Sequence, residues 1–78
     1  MQLEFDFYDV VPSTVNGSPY DRGSADSYYG RSFDPHYWPE GTYKGTRVEM
    51  KDMTPREIVE YTKGFNDNEE AGDKKDWG

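Results

Sequence analysis

The chain has 78 residues, a net charge of −7 and no cysteine, which bounds it to one small domain without disulfide staples or thiolate metal sites. The acidic balance repels phosphate backbones, so direct nucleic-acid binding is not expected, while a basic protein surface would be attracted. Aliphatic residues are scarce: Leu3, Ile58, Val10, Val11, Val15, Val48 and Val59 are the leucine, isoleucine and valine supply, so a core must rest on the seven tyrosines, four phenylalanines and two tryptophans.

Leu3, Phe5 and Phe7 alternate with Gln2, Glu4 and Asp6, and this period of two predicts a strand over residues 2–8. The same N-terminus carries neither the basic opening nor the apolar run of a secretory signal. No apolar run approaches the roughly 20 residues of a membrane span. A cytoplasmic chain with no membrane partner is therefore the expectation. Residues 11–17, with Pro12 and the pair Asn16-Gly17, read as a loop.

Ser18 before Pro19, with Asp21 in the first turn, is a helix start, and Gly30 is a left-handed stop. A helix over 19–29 follows, with Tyr20, Gly23 and Ser27 on one face. The small residues on that face would admit another backbone. Residues 32–45 are broken by Pro35, Pro39, Gly41 and Gly45, yet carry Phe33, Tyr37, Trp38 and Tyr43. This aromatic-rich loop either packs over the core or offers a contact surface. Alternation in Thr46-Arg47-Val48-Glu49-Met50 predicts a second strand over 46–50, paired with the first.

Thr54-Pro55-Arg56-Glu57 carries the pattern of a capping box, and Met53 with Ile58 that of a hydrophobic staple. Ile58, Tyr61, Thr62 and Phe65 then recur at helical spacing, which predicts a helix over 55–70, with Gly64 placed for a close crossing. The fold class expected is thus α+β: two packed helices, a two-stranded antiparallel sheet and an aromatic-rich loop. Residues 1–70 form the single domain, and residues 71–78 a charged, flexible tail.

No catalytic set is legible. His36 is the single histidine, and no nucleophile-elbow pattern accompanies any serine, so no enzyme is expected. Asp67-Asn68-Glu69-Glu70-Ala71-Gly72 has the glycine of a calcium loop at its sixth position, but Ala71 and Gly78 stand where oxygen ligands are required. No metal and no cofactor is expected. Tyr28, Tyr29 and Arg31 at the first helix end, with His36, Tyr37 and Trp38 in the loop, are the candidate interaction residues, because tyrosine, tryptophan and arginine dominate binding hot spots.

The series Tyr20-Asp21-Arg22-Gly23-Ser24-Ala25-Asp26-Ser27-Tyr28-Tyr29-Gly30-Arg31, then Pro35-His36, Met53-Thr54, Glu60-Tyr61, Gly64-Phe65 and Gly72-Asp73-Lys74-Lys75-Asp76-Trp77, resembles short uncharacterised proteins encoded by tailed bacteriophages. That resemblance covers residues 20–77. A fainter likeness, carried by Arg22-Gly23, Gly30-Arg31, Pro35 and Gly64-Phe65, is to ribosome modulation factor, a two-helix ribosome-binding protein that is strongly basic where this chain is acidic. The first resemblance implies a phage-type protein in the cytoplasm of an infected bacterial host. That family brings no established chemistry; taken with the small size, the acidic charge, the aromatic-rich loop and the lack of a catalytic set, it leads to the expectation of a chain that binds and inhibits or redirects a host protein or protein complex, such as a CRISPR or other defence complex or the transcription machinery. The second implies a ribosome-associated module. A virion component is a third expectation.

Overall fold

The computed structural model describes residues 15–72 and 74–75. Its elements run, in chain order, α1 (Pro19–Tyr28), β1 (His36–Tyr37), β2 (Val48–Glu49), a single 3-10 turn (Met50–Asp52) and α2 (Pro55–Ala71). The two helices pack together and the two short strands pair antiparallel, so the domain is α+β as expected.

Both helices begin where their capping residues stand. Ser18 Oγ accepts from the Asp21 N–H at 3.3 Å, and the Asp21 carboxylate reaches back to the Gly17 N–H at 2.9 Å. Thr54 and Glu57 complete a reciprocal capping box, with bonds of 3.1 and 2.8 Å. The end of α1 is a Schellman turn. Gly30, at φ 72°, allows its own N–H to reach the Ser27 carbonyl and the Arg31 N–H to reach the Asp26 carbonyl.

The helices cross at glycines. A Cβ on Gly23 would lie 2.0 Å from the Tyr61 carbonyl oxygen, and one on Gly64 2.1 Å from that of Tyr20. Each glycine therefore receives the backbone of the opposite helix, a closeness no side chain permits. Around the crossing the interface is largely polar. Tyr20 donates to Asp67 at 2.7 Å, Asn68 donates to Ser27 Oγ at 2.9 Å, and Ser27 donates to Glu69.

The sheet differs in one respect from the sequence reading. Val48–Glu49 lies within the strand expected over 46–50, but its observed partner is His36–Tyr37, in the register His36 with Glu49 and Tyr37 with Val48. The aromatic loop supplies that strand, and directly after it the Trp38 N–H donates to the Gly17 carbonyl at 2.8 Å. The strand expected over 2–8 lies outside the described residues.

Apolar burial is thin, as the scarcity of aliphatics requires. Among the described residues Met53 and Tyr61 are the buried hydrophobic side chains, and Tyr61 has no exposed surface. Phe33 meets Tyr61 edge-on at 5.3 Å and Phe65 at 5.4 Å, and Phe65 stacks on Tyr61 at 6.4 Å. Beside these rings are buried Arg22, Asp26, Ser27, His36 and Asn68.

Beyond α2 the chain returns to α1. Lys74 Nζ donates to the Ser27 carbonyl at 3.1 Å and to Ser27 Oγ at 3.2 Å, and the Lys75 N–H donates to the Tyr28 carbonyl at 2.6 Å. The segment expected as a flexible tail thus places a cation and a donor at the carbonyl end of α1, where the helix dipole favours them.

Candidate functional site

The site is assembled from α1, the turn after it, the aromatic loop and the approach to β2. Arg22 and Asp26 are four apart on α1, so both project to the same side, next to the crossing face of Gly23 and Ser27. β1 brings His36 over them. Tyr61 rises from α2 beneath.

Asp26 is 3% exposed, and its carboxylate has three neighbours. Tyr61 donates to its Oδ2, Arg31 Nη1 stands 3.5 Å from its Oδ1, and His36 Nδ1 stands 3.7 Å from its Oδ2. The Tyr61 hydroxyl in turn accepts the Asp34 N–H at 3.1 Å. Burial and the bond to Asp26 push the Tyr61 pKa well above that of a free phenol. His36 is 4% exposed, with Nδ1 2.7 Å from the Asp34 carbonyl and Nε2 3.5 Å from Arg22 Nε. A ring carrying its proton on Nδ1 satisfies both contacts, which gives His36 a role in holding β1 on α1.

Above this network opens a pocket of about 300 Å³ lined by Arg22, Asp26, Arg31, Ser32, Asp34, His36, Trp38, Tyr43 and Arg47. Its wall is aromatic on one side, where Trp38 and Tyr43 meet edge-on at 5.6 Å and the Arg22 guanidinium lies 5.8 Å from the Tyr43 ring centre. Tyr43 is 70% exposed, and its φ of 65° is the one positive value outside glycine among the described residues. That conformation is uncommon for a bulky side chain, and here it turns the ring onto Trp38 and over Arg22. On another side Arg47 bonds Asp34 at 2.7 Å and Glu49 at 3.1 Å. Partial burial lowers the Arg47 pKa, and those two carboxylates more than offset it.

Of the six candidate interaction residues, Arg31, His36 and Trp38 line this pocket. Tyr28 and Tyr29 adjoin it through Arg31. The Arg31 guanidinium lies 4.8 Å from the Tyr29 ring centre, and Tyr29 meets Tyr28 edge-on at 5.0 Å. Tyr29 and Arg31 are exposed, Tyr28 and Trp38 half-buried, His36 buried. Tyr37 points elsewhere, as alternation along a strand requires. Its hydroxyl bonds the Glu57 carboxylate at the start of α2, which raises its pKa.

Sequence pattern alone does not mark Arg22, Asp26 or Arg47 as site residues, and it places Tyr43 only within the aromatic-rich loop. The spacing of Arg22 and Asp26 on the small-residue face was the available signal for two of them. Nothing local announces that Arg47, sixteen residues after Arg31, returns to the same pocket.

The acidic stretch compared with a calcium loop is committed to protein contacts through Asn68 and Glu69. Hydrogen bonds from Lys74 and Ser27 hold the Glu69 pKa below the usual carboxylate value. Among the described residues no cluster of three or more histidine, aspartate or glutamate side chains suits a metal ion, and no helix is long and apolar enough to cross a membrane. No protein-family model matches the chain, and no curated protein or solved structure matches it either.

Proposed function

We propose that this chain is a small acidic protein of phage type that binds a host protein and inhibits or redirects it by surface contact. A CRISPR or other defence complex, or the transcription machinery, is the class of target. The observation that carries the reading is the grouping of Arg31, Trp38 and Tyr43 around one pocket, with Tyr29 against the Arg31 guanidinium. Aromatic and arginine side chains set around a pocket are the chemistry of interface hot spots. The buried polar groups beneath are bonded to one another, a rigid support for such a surface, and no catalytic role is assigned to them.

The test is a pull-down of the tagged chain against bacterial lysate, beside Trp38→Ala and Arg31→Ala variants. A stoichiometric host protein, lost with Trp38→Ala while melting is held within a few degrees, is the expected result. Recovery of no protein partner sinks the reading, and a collapse of melting in Trp38→Ala makes that ring core.

The second reading is a ribosome-associated module. It is favoured by the crossing of two short helices with Gly30-Arg31 closing the first, which matches the residues of the fainter resemblance. Sedimentation through a low-salt sucrose gradient separates the two, because this reading requires co-migration with ribosomal particles.

A further inference from the structure

An asparagine followed by glycine is prone to modify itself, because glycine has no side chain to keep its nitrogen away from the asparagine amide. The chain holds one such pair, Asn16-Gly17. Asn16 is exposed and Gly17 is buried. The pair forms the centre of a tight turn. The Ser18 N–H donates to the Val15 carbonyl at 2.9 Å, and Gly17, at φ 93°, takes the left-handed third position of a type II turn. Neighbours on two elements hold both residues. The Gly17 N–H donates to the Asp21 carboxylate at 2.9 Å, and the Gly17 carbonyl accepts from the Trp38 N–H at 2.8 Å. Asn16 Oδ1 accepts from the Thr42 N–H at 3.1 Å and from the Thr42 hydroxyl.

We propose that Asn16-Gly17 is a self-modification site, gated by opening of this turn, and that its isoaspartyl product releases the aromatic loop. Water is the only co-reactant. The Gly17 nitrogen attacks Asn16 Cγ, the Cγ–Nδ2 bond breaks, and the Gly17 proton leaves on the departing ammonia. Water then opens the five-membered imide, giving its hydroxyl to one ring carbonyl and a proton back to the Gly17 nitrogen. Opening at Cγ yields aspartate. Opening at the main-chain carbonyl of residue 16 yields isoaspartate, whose backbone runs through Cβ and Cγ. Ring closure needs the Gly17 nitrogen eclipsed with Cβ, at an Asn16 ψ of about −120°, whereas a type II turn holds that angle at about +120°. The turn must therefore open before the ring forms, and Asp21 and Thr42 hold it shut.

The two products differ in consequence. Aspartate leaves the backbone unchanged and keeps an oxygen for Thr42. Isoaspartate adds one carbon to the main chain before Gly17, and the turn has no slack for it. A Cβ on Gly17 would already lie 2.6 Å from the Trp38 carbonyl oxygen and 2.9 Å from the Gly41 backbone. The bonds from Trp38 and Thr42 then cannot all persist, and the pocket wall of Trp38 and Tyr43 loses its anchor. The change is covalent and one-way, so each molecule presents the pocket for a limited time, whatever partner the pocket takes.

The experiment incubates the full chain at mildly alkaline pH, folded and unfolded in urea. Peptide mapping by mass spectrometry follows acid at position 16, and isoaspartyl methyltransferase distinguishes the two products. Hydrogen exchange read by NMR gives the protection of the Gly17 N–H. Conversion is expected in both states, slower in the folded chain by that protection factor to within about threefold, since both processes need the same local opening. Thr42→Val loses the hydroxyl donor and should convert about fivefold faster than the natural chain, the size of one hydrogen bond. Thr42→Ser keeps the donor and should not. The purified isoaspartyl chain should lose protection at the Trp38 N–H while amides within α2 keep theirs.

A folded rate equal to the unfolded one, or further from the protection ratio in either direction, overturns the gate. So does an unchanged rate in a folded Thr42→Val chain. Where that variant fails to fold, the ratio in the natural chain decides alone. Undiminished Trp38 protection in the isoaspartyl chain overturns the release of the loop.

Discussion

Tyr61 holds the two layers of the molecule together through one oxygen. It donates to the buried Asp26 carboxylate and accepts from the Asp34 backbone, so one hydroxyl ties α2 to α1 and to the segment leading into β1. Tyr61→Phe removes that oxygen, keeps the ring stack, and deprives a buried charge of its closest donor. A loss of about 2 kcal/mol in urea denaturation is expected, since bonds to charged groups are worth roughly 1.5–3 kcal/mol. Tyr20→Phe, which breaks the half-buried bond to Asp67, should cost about 1 kcal/mol. The same phenol sets an alkaline limit. Its folded pKa lies above the unfolded value of 10.0, so the folded state holds the proton more tightly. Its contribution is complete below pH 10.0 and is lost as the pH rises toward the folded pKa. Tyr20 and Tyr37 are shifted in the same direction. Stability should therefore fall above that pH in the natural chain, and less steeply in Tyr61→Phe. An equal slope in both removes Tyr61 as the cause.

At the scale of elements, the helix pair depends on two absent side chains. Gly23→Ala and Gly64→Ala each drive a methyl group into a carbonyl oxygen of the opposite helix. Alanine gains about 1 kcal/mol of helix propensity over glycine. Overpacking against backbone costs roughly 1–3 kcal/mol or more, and here the obstacle is a carbonyl in a helix, which cannot swing aside. Net destabilisation is expected from either change, measured by thermal unfolding, and a rise in melting temperature from both would show that the helices separate without cost. These elements were legible because their signals are local. Ser18-Pro19, Gly30, Thr54-Pro55 and Glu57 mark helix ends by chemistry confined to one turn, and the small face of α1 announced a close crossing. The sheet partner of Val48–Glu49 was not legible. Two paired residues leave no periodicity to read, and the bond from Trp38 to Gly17 that directly follows them joins segments distant in sequence. The pocket was legible only at Arg31, His36 and Trp38. Arg22, Tyr43 and Arg47 complete it through tertiary contacts alone.

Across the whole molecule two electrostatic effects oppose each other, and their ranges decide the outcome. Arg47 with Asp34, Arg56 with Glu60 and Lys63 with Asp67 are surface pairs at 2.7–3.3 Å, each worth at most about 1 kcal/mol. At contact distance, well inside the Debye length of about 8 Å at physiological salt, screening removes only part of that. The net charge of −7 acts over longer distances. Taken as unit charges about 20 Å apart in water, two excess charges repel by roughly 0.2 kcal/mol, and the whole set by about 4 kcal/mol. An expanded chain of this length, with roughly twice the radius, relieves about half of it. Salt at physiological strength screens nearly all of that difference, because the separations exceed the Debye length. Raising sodium chloride from about 10 mM to 150 mM should therefore stabilise the fold by about 1–2 kcal/mol, read from the urea midpoint at neutral pH. A fall in stability over the same range would mean that the paired charges outweigh the excess. Since the repulsion is spread over the chain, replacing any one exposed acid outside an ion pair, such as Glu70, by glutamine should reproduce only a small part of the salt effect. Replacing Asp26 should destabilise the fold at every salt concentration, because its carboxylate is held by neighbours that salt does not reach.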